Sequence, residues 1–342
     1  MTPARMTSRT PSARVRFAGV AALAALSLAA CGQGVSAPKA SDGGSASAAS
    51  FSTTNCGSPT QYKANPNRIV ALSVGQAEIL TRLGLADSIV GVAQLNGQEL
   101  PRELKEREGK GLQVLSQDSP PSRETLLKAQ PDLVLSPTTY EFSADQGFAT
   151  KEQLSKGGAQ TYVAAAGCFD RRAKAKVRDL FTDIAAYGEI FGKQKEAQQL
   201  VEQGEKTLAE AKKRSEGKTK PRTAQLFIDG DHITAIGAGV EHDLLLEAGA
   251  QPVFSPKDKE FSSFFAAEVS KEAVAAKAPE VIVLTASGKA QEKKARDYLK
   301  ANLPDVPAVK NNRIVVLDSN QVLPGTWGLV EGVEKVHKSF DR

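Results

Sequence analysis

Residues 122–135, SRETLLKAQPDLVL, share their pattern with residues 270–283, SKEAVAAKAPEVIV. The aligned positions are Ser122 with Ser270, Glu124 with Glu272, Pro131 with Pro279 and Asp132 with Glu280. Serine is a good helix N-cap, proline ends a helix, and a short aliphatic run is typical of a buried strand. Each copy therefore predicts a short capped helix followed by a strand. Two such units favour two similar α/β lobes with a ligand between them; the alternative is two unrelated helix–strand units.

Strands and helices alternate on both sides of the repeated motif. In the first half, strands are predicted at 68–73, 88–92, 113–115 and 132–136, helices at 77–83 and 122–129, and a tight turn at 74–76. In the second half, a strand at 223–228 is followed by a strand at 232–236 that pairs back on it, a helix at 243–248, a strand at 312–317 and a helix at 327–338. This order predicts an α/β fold with two Rossmann-like lobes and mostly parallel sheets.

The predicted lobes comprise residues 59–169 and 221–342. Between them, an apolar stripe predicts a long amphipathic helix at 170–192 that links the lobes. Residues 193–220 predict a second helix, which is charged and faces solvent.

The N-terminal residues 1–30 carry four arginines and no acid, and then an apolar run that ends in Leu28-Ala29-Ala30-Cys31. This pattern is typical of a secretory signal. A cysteine directly after Leu-Ala-Ala resembles the lipobox of bacterial lipoproteins, in which Cys31 is lipidated and becomes the new N-terminus; an ordinary cleaved signal is the alternative. Residues 31–58 are rich in serine, alanine and glycine and predict a flexible tether on the outer face of the membrane.

Removal of the signal lowers the formal net charge from +5 to +1, because it takes away four arginines and no acid. The mature chain has no global basic field, so nucleic acid is a poor candidate partner. Its length, about 310 residues, favours two cores in a monomer over one.

Two cysteines remain in the mature chain, Cys56 and Cys168. A secreted protein with one remaining pair is expected to oxidise it to a disulfide. The alternative is a pair of free, buried thiols.

Three segments resemble the periplasmic binding proteins for ferric siderophores, haem and vitamin B12. Residues 68–92, RIVALSVGQAEILTRLGLADSIVGV, are similar to the opening of that family, and residues 121–137 and 268–284 fit its two later blocks. The resemblance covers about residues 60–335. It implies two lobes bridged by one long helix, a ligand in the cleft, only modest closure, and delivery to an ABC permease driven by a cytoplasmic ATPase. Residues 54–57 and 167–170 resemble an actinobacterial branch in which the two cysteines pair.

The resemblance also implies docking on the permease through one acidic residue in each lobe. In the first lobe that residue maps onto Glu78, for which a solvated helix-face charge is the alternative. In the second lobe the family often has a glutamate in a turn after a helix, where this chain has Gln251. Either Glu247 or Glu268 would take that role, and Glu268 is our prediction.

Ligands of open α/β sheets lie beyond the carboxyl ends of the strands, and bulky ligands favour aromatic contacts. The predicted ligand contacts are Ser73, Gln76, Tyr140, Phe142, His232, Phe264 and Trp327. An anionic ferric siderophore would also require arginine nearby, and Arg171 and Arg172 are the ones close in sequence to the predicted cleft. The prediction is therefore an extracytoplasmic, lipid-anchored binding protein for a ferric siderophore, with no resident cofactor.

Two other ligands and one enzyme class remain as alternatives. Haem is the first, because Tyr140 and His232 could both ligate its iron, and cobalamin is the second. A bare metal site would need clustered histidine and carboxylate ligands, and the chain has only three histidines, so the sequence gives little support for one. A secreted hydrolase would need an activated pair such as Ser73 and His232, but the glycine that precedes the serine in a nucleophile elbow is missing.

Overall fold

The structure, a computed structural model, describes residues 50–341. The predicted signal, the lipidation site Cys31 and the tether up to residue 49 lie outside the described residues. Within 50–341, no helix is both long and apolar enough to cross a membrane.

The first lobe is built on a parallel sheet. Its strands are β1 (Ser50–Asn55), β2 (Ser58–Lys63), β3 (Ile69–Ala71), β4 (Ile89–Val92), β5 (Gln113–Val114), β6 (Leu133–Ser136) and β7 (Gln160–Val163), and its helices are α1 (Val74–Arg82), α2 (Arg102–Lys105), α3 (Arg123–Lys128) and α4 (Lys151–Lys156). Strands β5-β4-β3-β6-β7 form the sheet in that order, and all neighbours are parallel. The predicted parallel sheet is confirmed; strand β7 was not predicted.

Two helices follow, and the second lobe comes after them. The helices are α5 (Asp179–Phe191) and α6 (Gln194–Ser215). The second lobe has strands β8 (Arg222–Asp229), β9 (His232–Ile236), β10 (Gln251–Pro252), β11 (Ala266–Val269), β12 (Val281–Thr285) and β13 (Ile314–Leu317), with helices α7 (Gly239–Glu247), α8 (Lys271–Lys277), α9 (Gly288–Asn302), α10 (Pro307–Lys310) and α11 (Gly328–Lys338). The sheet order is β11-β9-β8-β12-β13, and β10 also pairs with β8. Strand β9 is antiparallel to β8, as predicted.

The repeated motif has the predicted structure in both lobes. Ser122 and Ser270 cap helices α3 and α8, accepting hydrogen bonds from the amides of the third residues that follow them at 3.2 and 3.1 Å. The acids after the prolines hold the start of the neighbouring strand: Asp132 accepts from the amide of Arg68 at 3.0 Å, and Glu280 accepts from the amide of Arg222 at 2.8 Å. The shared pattern thus reflects the same helix–strand unit in each lobe.

Helix α1 begins at Val74, so the tight turn predicted at 74–76 is wrong. Ser73 caps the helix and accepts from the amide of Gln76 at 3.2 Å. A glycine at position 75 predicted a turn, but in the structure it allows a close approach between the two lobes. A Cβ at this position would lie 2.5 Å from the Cβ of Thr326 in the second lobe. Only a residue without a side chain lets the two segments approach this closely.

The chain becomes ordered earlier than predicted. Residues 50–58 belong to an antiparallel hairpin of β1 and β2 instead of a flexible tether. Asn55 explains this order, because its amide donates to the carbonyl of Val163 at 2.7 Å and its oxygen accepts from the Val163 amide at 3.0 Å. The hairpin is therefore held on the edge strand β7.

The helix predicted at 170–192 is shorter in the structure. Residues 172–174 form a single 3₁₀ turn, and α5 begins only at Asp179. The amides just before it are bound by carboxylates: Lys176 N donates to Asp179 Oδ2 and Val177 N donates to Asp243 Oδ2, both at 2.9 Å. Because Asp243 belongs to α7 in the second lobe, a tertiary contact decides where this helix starts.

Helix α6 is the element that reaches across the molecule. Its 22 residues span about 33 Å at 1.5 Å per residue. It packs against α5 at its start, where the alanine side chain of residue 197 faces Gly188, and against Trp327 near Gly204. One apolar cluster continues from the first-lobe strands through α5 and α6 to α11.

Candidate functional site

The loop after β13, residues 319–326, closes on the first lobe. The Gln98 side-chain amide donates to Ser319 Oγ at 2.6 Å, and Thr326 lies against Gly75. Gly325 abuts Ala164, the residue that follows β7. The carboxyl-end edge of the first sheet therefore faces the second lobe, as expected for a ligand-binding cleft in α/β proteins.

A crossover segment, residues 167–172, forms the second contact between the lobes. At its start, the Gly167 carbonyl accepts from the amide of Thr139 at 3.3 Å. At its end, the Arg172 guanidinium lies 3.6 Å from the ring centroid of Phe265 and donates to Glu241 Oε2 at 2.9 Å. The segment thus connects the loop after β6 with helix α7 and the residues before β11.

Three aromatic side chains remain exposed around these two contacts: Tyr140 (52% exposed), Phe169 (85%) and Phe264 (53%). They stand in the loop after β6, in the crossover segment and before β11. Within 50–341, just two other large apolar side chains are comparably exposed, Leu127 and Leu246. Exposed aromatic rings at the junction of two lobes are typical of a ligand-binding surface.

Phe169 was not among the predicted contacts. A single phenylalanine beside Cys168 has no periodic pattern that would mark it as a ligand contact. The structure joins Cys56 and Cys168 in a disulfide, which ties the hairpin to the crossover segment.

The polar part of the cleft centres on Glu141. Its Oε2 accepts from Ser136 Oγ at 3.1 Å, from the Thr138 amide at 3.2 Å and from Thr138 Oγ1 at 2.6 Å. The Gln94 amide reaches its Oε1 at 3.5 Å and donates to the Leu72 carbonyl at 2.6 Å. Glu141 is buried, and it lies where β3, β4 and β6 end.

Ser73 and Gln76 are buried at the same edge. Ser73 Oγ donates to Gln76 Oε1 at 3.3 Å, while Gln76 Nε2 has no hydrogen-bond partner among the described residues. These two side chains form part of the floor beneath the cleft.

Phe142 and Trp327 do not line an exposed wall, contrary to the expectation from their loops. Phe142 is 7% exposed and packs in the apolar cluster around Val134 and Leu126. Trp327 is 4% exposed because it is covered by the Arg82 guanidinium, 5.0 Å from its ring centroid, and by α6. Both rings support the cleft from behind.

His232 lies away from the aromatic surface. His232 pairs with Asp229 of β8 at one end of β9. At the other end Ile236 pairs with Ala266, which directly follows Phe264 and Phe265, and four strand residues separate the two ends by about 14 Å. The Nδ1 atom of His232 is 2.7 Å from Glu268 Oε1, and this hydrogen bond raises the pKa of His232. The haem hypothesis that combined His232 with Tyr140 gains no support from this position.

The pair of Ser73 and His232 that a hydrolase would need is not formed. Ser73 is buried and engaged with Gln76, whereas His232 is exposed and engaged with Glu268. Over residues 50–341 there is also no group of three or more His, Cys, Asp or Glu residues placed to hold a metal ion.

The predicted docking acids both have basic partners. Glu78 accepts from Arg82 Nη2 at 2.6 Å and its side chain is 22% exposed, while Glu268 is paired with His232. Glu247, the other candidate, is 3.3 Å from Arg178. By contrast, Glu124 and Glu272 are exposed in the first turns of α3 and α8, and neither makes an ion pair within the described part of the chain.

The fold and the inter-lobe junction define a two-lobe solute-binding protein, and comparison with known proteins agrees. A family model described as "Periplasmic binding protein" matches residues 69–321, so the chain belongs to this family. It is a substrate-binding protein of the ABC-importer type.

Two relatives from Bacillus subtilis (strain 168) are 26% identical to this chain. They are an uncharacterized ABC transporter substrate-binding lipoprotein, YvrC, over 281 residues (81% of both chains), and the petrobactin-binding protein YclQ, over 282 residues (80% of both chains). A solved structure titled as an ABC-type Fe3+-hydroxamate transport system, from Saccharomonospora viridis, is 27% identical with a TM-score of 0.69, covering 85% of this chain and 99% of that chain. Solved haem-binding and vitamin B12-binding proteins share the fold at 19% and 18% identity.

Proposed function

We propose that this protein captures a ferric siderophore outside the membrane and delivers it to the permease of an ABC importer. The observation that carries the proposal is the set of three exposed aromatic rings, Tyr140, Phe169 and Phe264, at the junction of two lobes in a substrate-binding fold. A bulky, partly apolar iron complex matches such a surface because aromatic rings offer large contact areas at low entropic cost.

Two findings support an iron siderophore over haem or cobalamin. Among the solved structures, the one titled as a ferric-hydroxamate transport system is 27% identical to this chain, whereas the haem and vitamin B12 binders stand at 19% and 18%, where likeness concerns the fold alone. The petrobactin-binding protein is 26% identical by sequence, although its solved structure aligns at 18%. His232 is also bonded to Glu268, about 14 Å along β9 from the residues next to Phe264, which does not favour it as a haem ligand.

A ligand titration tests the proposal directly. A soluble form that begins at Ser50 would be titrated with ferric siderophores, hemin and cobalamin, and the fluorescence of Trp327, the single tryptophan, would be followed. Trp327 packs between α6 and Arg82 at the lobe junction, so it reports on binding there. We expect saturable quenching by a ferric siderophore, weakened in Tyr140→Ala and unchanged in Leu127→Ala.

Other results would redirect the assignment. Selective quenching by hemin or cobalamin would show that this compound, and not a ferric siderophore, is the ligand. Absence of a response to every compound, with the same result in equilibrium dialysis, would contradict ligand capture at this cleft.

We further propose that the protein is anchored by lipid on Cys31. The support is the Leu-Ala-Ala-Cys sequence together with a relative described as a lipoprotein. Mass spectrometry of the mature N-terminal peptide should find an acylated Cys31, and an unmodified or absent Cys31 would contradict the anchor.

For docking on the permease, the geometry favours Glu124 and Glu272 over the pair Glu78 and Glu268 that the family resemblance suggested. The former two occupy equivalent places in the repeat, at exposed first turns, and have no basic partner among residues 50–341. Arg82 already binds one oxygen of Glu78, Oε1, and its positive charge offsets part of the attraction of Glu78 for another basic group.

Uptake assays with two double variants distinguish the docking pairs. We expect Glu124→Ala/Glu272→Ala to lower uptake at least about tenfold with unchanged ligand affinity, since one well-formed charged contact in each lobe is lost. Glu78→Ala/Glu268→Ala serves as the matched comparison and should retain most uptake. The reverse outcome would restore the pair suggested by the resemblance.

A further inference from the structure

The second sheet ends in a strand that has one free edge. Strand β13 is the last in the sheet order, and β12 is its one pairing partner within residues 50–341. The amide of Ile282 in β12 donates to the carbonyl of Arg313 at 3.1 Å. Because the backbone groups of successive strand residues point to opposite edges, Ile314 and Val316 present theirs on the outer side. Within the described residues one side chain bonds to this edge, since Arg296 Nη2 donates to the Ile314 carbonyl at 3.3 Å.

An edge strand of the first lobe is covered, whereas β13 is open. The hairpin of β1 and β2 lies against β7, where Asn55 bonds to Val163 and the Tyr62 hydroxyl donates to the carbonyl of Thr161 at 3.1 Å. In β13, by contrast, residues 314–316 are half-buried, although the strand beside it is buried over residues 281–284. An uncovered strand edge is a ready template for another extended chain.

The face of β13 toward α11 is an apolar groove with basic residues beside it. The groove has a volume of about 520 Å³, and its lining includes Val281, Val315, Arg313 and Lys335. Val281 is buried and Lys335 is exposed, so the valines form the floor and the lysine stands at the rim. A groove of this kind accepts small apolar side chains.

The face of β13 toward α9 is bordered by a stripe of cations. Lys289, Lys293, Arg296 and Lys300 follow one another on α9 at intervals of four, three and four residues. This spacing places them on one face of the helix. The hydrogen bond from Arg296 to the Ile314 carbonyl shows that this face lies alongside the free edge.

Positive charge is in excess around this edge. The acids on α9 and at the end of α11 already pair with cations of their own helices: Glu292 with Arg296, Asp297 with Lys293, and Glu334 with Lys338. Within residues 50–341, five cations of the region have no acidic partner in an ion pair, namely Lys289, Lys300, Lys310, Arg313 and Lys335. An acidic partner complements this charge, whereas two copies of the chain joined at β13 would repel each other.

We propose that the free edge of β13 binds an extended acidic segment of a partner protein as an added strand, with apolar side chains in the groove and acidic side chains against α9. Main-chain hydrogen bonds to Ile314 and Val316 would supply affinity. The alternating pattern follows because successive side chains of a strand point to opposite faces. Val315 packs toward the cluster that contains α11, and Ile314 and Val316 pack toward the one that contains α9. The proposal does not depend on the ligand of the cleft.

Peptide binding tests the surface directly. Fluorescence anisotropy would follow the binding of a labelled octapeptide that alternates glutamate and valine to the soluble form that begins at Ser50. We expect saturable binding at sub-millimolar concentration, weakened severalfold by high salt because screening reduces the charge attraction. A lysine–valine octapeptide should not bind.

Variants separate strand addition from charge. Val316→Pro removes an outward amide and leaves the ladder to β12, because proline is tolerated on an edge strand whose N–H faces away from the sheet. It should weaken the acidic peptide at least about fivefold. Lys289→Glu and Lys300→Glu should each weaken it at least about threefold. Lys294→Glu, which changes an exposed lysine on another face of α9, should alter the affinity less than about twofold.

Four results would overturn the proposal. Absence of binding would show that the lysines only protect the edge against aggregation. Equal binding of the acidic and basic peptides would contradict the charge class, and full affinity in a Val316→Pro variant with native circular dichroism would contradict strand addition. A dimer that Val316→Pro abolishes, or binding to phosphatidylglycerol vesicles without binding of the peptide, would assign the surface to a second copy or to a lipid surface instead.

Discussion

Asp183 is the most perturbed carboxylate for which the structure supplies a clear cause. It is fully buried in α5, and burial raises its pKa to about 7, although the Ala165 amide and the Tyr162 hydroxyl donate to it and the nearby Asp179 and Arg171 act in opposite directions. Its Oδ2 has no partner among residues 50–341 and faces Gly325 at the lobe junction. The protonated acid therefore suits this position better than the carboxylate.

A pH dependence of stability follows from Asp183. Because its folded pKa is raised, its contribution to the free energy of unfolding is fully present below about pH 4 and is lost as the pH rises to about 7. A shift of this size corresponds to at most about 4 kcal/mol. Urea unfolding at pH 4.5 and pH 8 should show a smaller loss of stability at high pH in Asp183→Asn than in the wild type.

The comparison with the wild type is necessary because other acids titrate in the same range. Asparagine keeps an oxygen for the Ala165 amide and carries no charge. The difference between the pH profiles of the two proteins therefore gives the contribution of Asp183 to stability. Parallel pH profiles for the two proteins would show that Asp183 is not protonated in the folded state.

At the level of elements, the repeated helix–strand unit explains much of the fold from local signals. Ser122 and Ser270 cap their helices, and prolines end them, through contacts within a few residues. These signals could be recognised in the sequence. Helix α5 could not be delimited in the same way, because the Val177 amide is taken by Asp243, which is 66 residues away in the chain.

The hairpin of β1 and β2 depends on its covalent connection to the crossover segment. The Cys56–Cys168 disulfide closes a loop with a sequence separation of 112 residues, for which the loss of unfolded-state entropy corresponds to about 4–5 kcal/mol. The double variant Cys56→Ser/Cys168→Ser should lose stability of this order in urea unfolding.

Ligand binding in the same variant tests the link to the cleft. Because Cys168 directly precedes Phe169, release of the crossover segment should also lower the affinity for the siderophore severalfold. Non-reducing peptide mapping of the wild type should find Cys56 joined to Cys168. Two free thiols in the folded wild type would contradict the disulfide.

At the scale of the whole molecule, the two lobes share one apolar cluster. It joins first-lobe strands to α5, α6 and α11, and it includes fully buried Tyr187 and Leu329. Three ion pairs between residues 172–178 and α7 add to this connection: Arg172 with Glu241, Lys176 with Asp243, and Arg178 with Glu247. Such a junction permits small lobe movements and opposes separation of the lobes.

We therefore expect the lobes to unfold together. Circular dichroism and Trp327 fluorescence should give coincident urea transitions, because the core that spans the lobes cannot be divided without exposing its apolar surface. Binding of ligand should change the radius of gyration only slightly in small-angle scattering. Two resolved transitions, or a large compaction on binding, would contradict this coupling.

The sequence by itself determined the α/β class, the two lobes, the repeated unit, and most strands and caps, because these depend on contacts within a few residues and on the period of apolar positions. It also indicated the disulfide, and it pointed to Tyr140 and Phe264, which are exposed in the structure. The tertiary structure alone decided that Phe142 and Trp327 are buried, that Arg171 and Arg172 pair with Asp179 and Glu241, and that Phe169 is exposed whereas Glu141 is buried. Those properties depend on which distant segments meet, since burial and charge pairing belong to the packed molecule and not to any one segment.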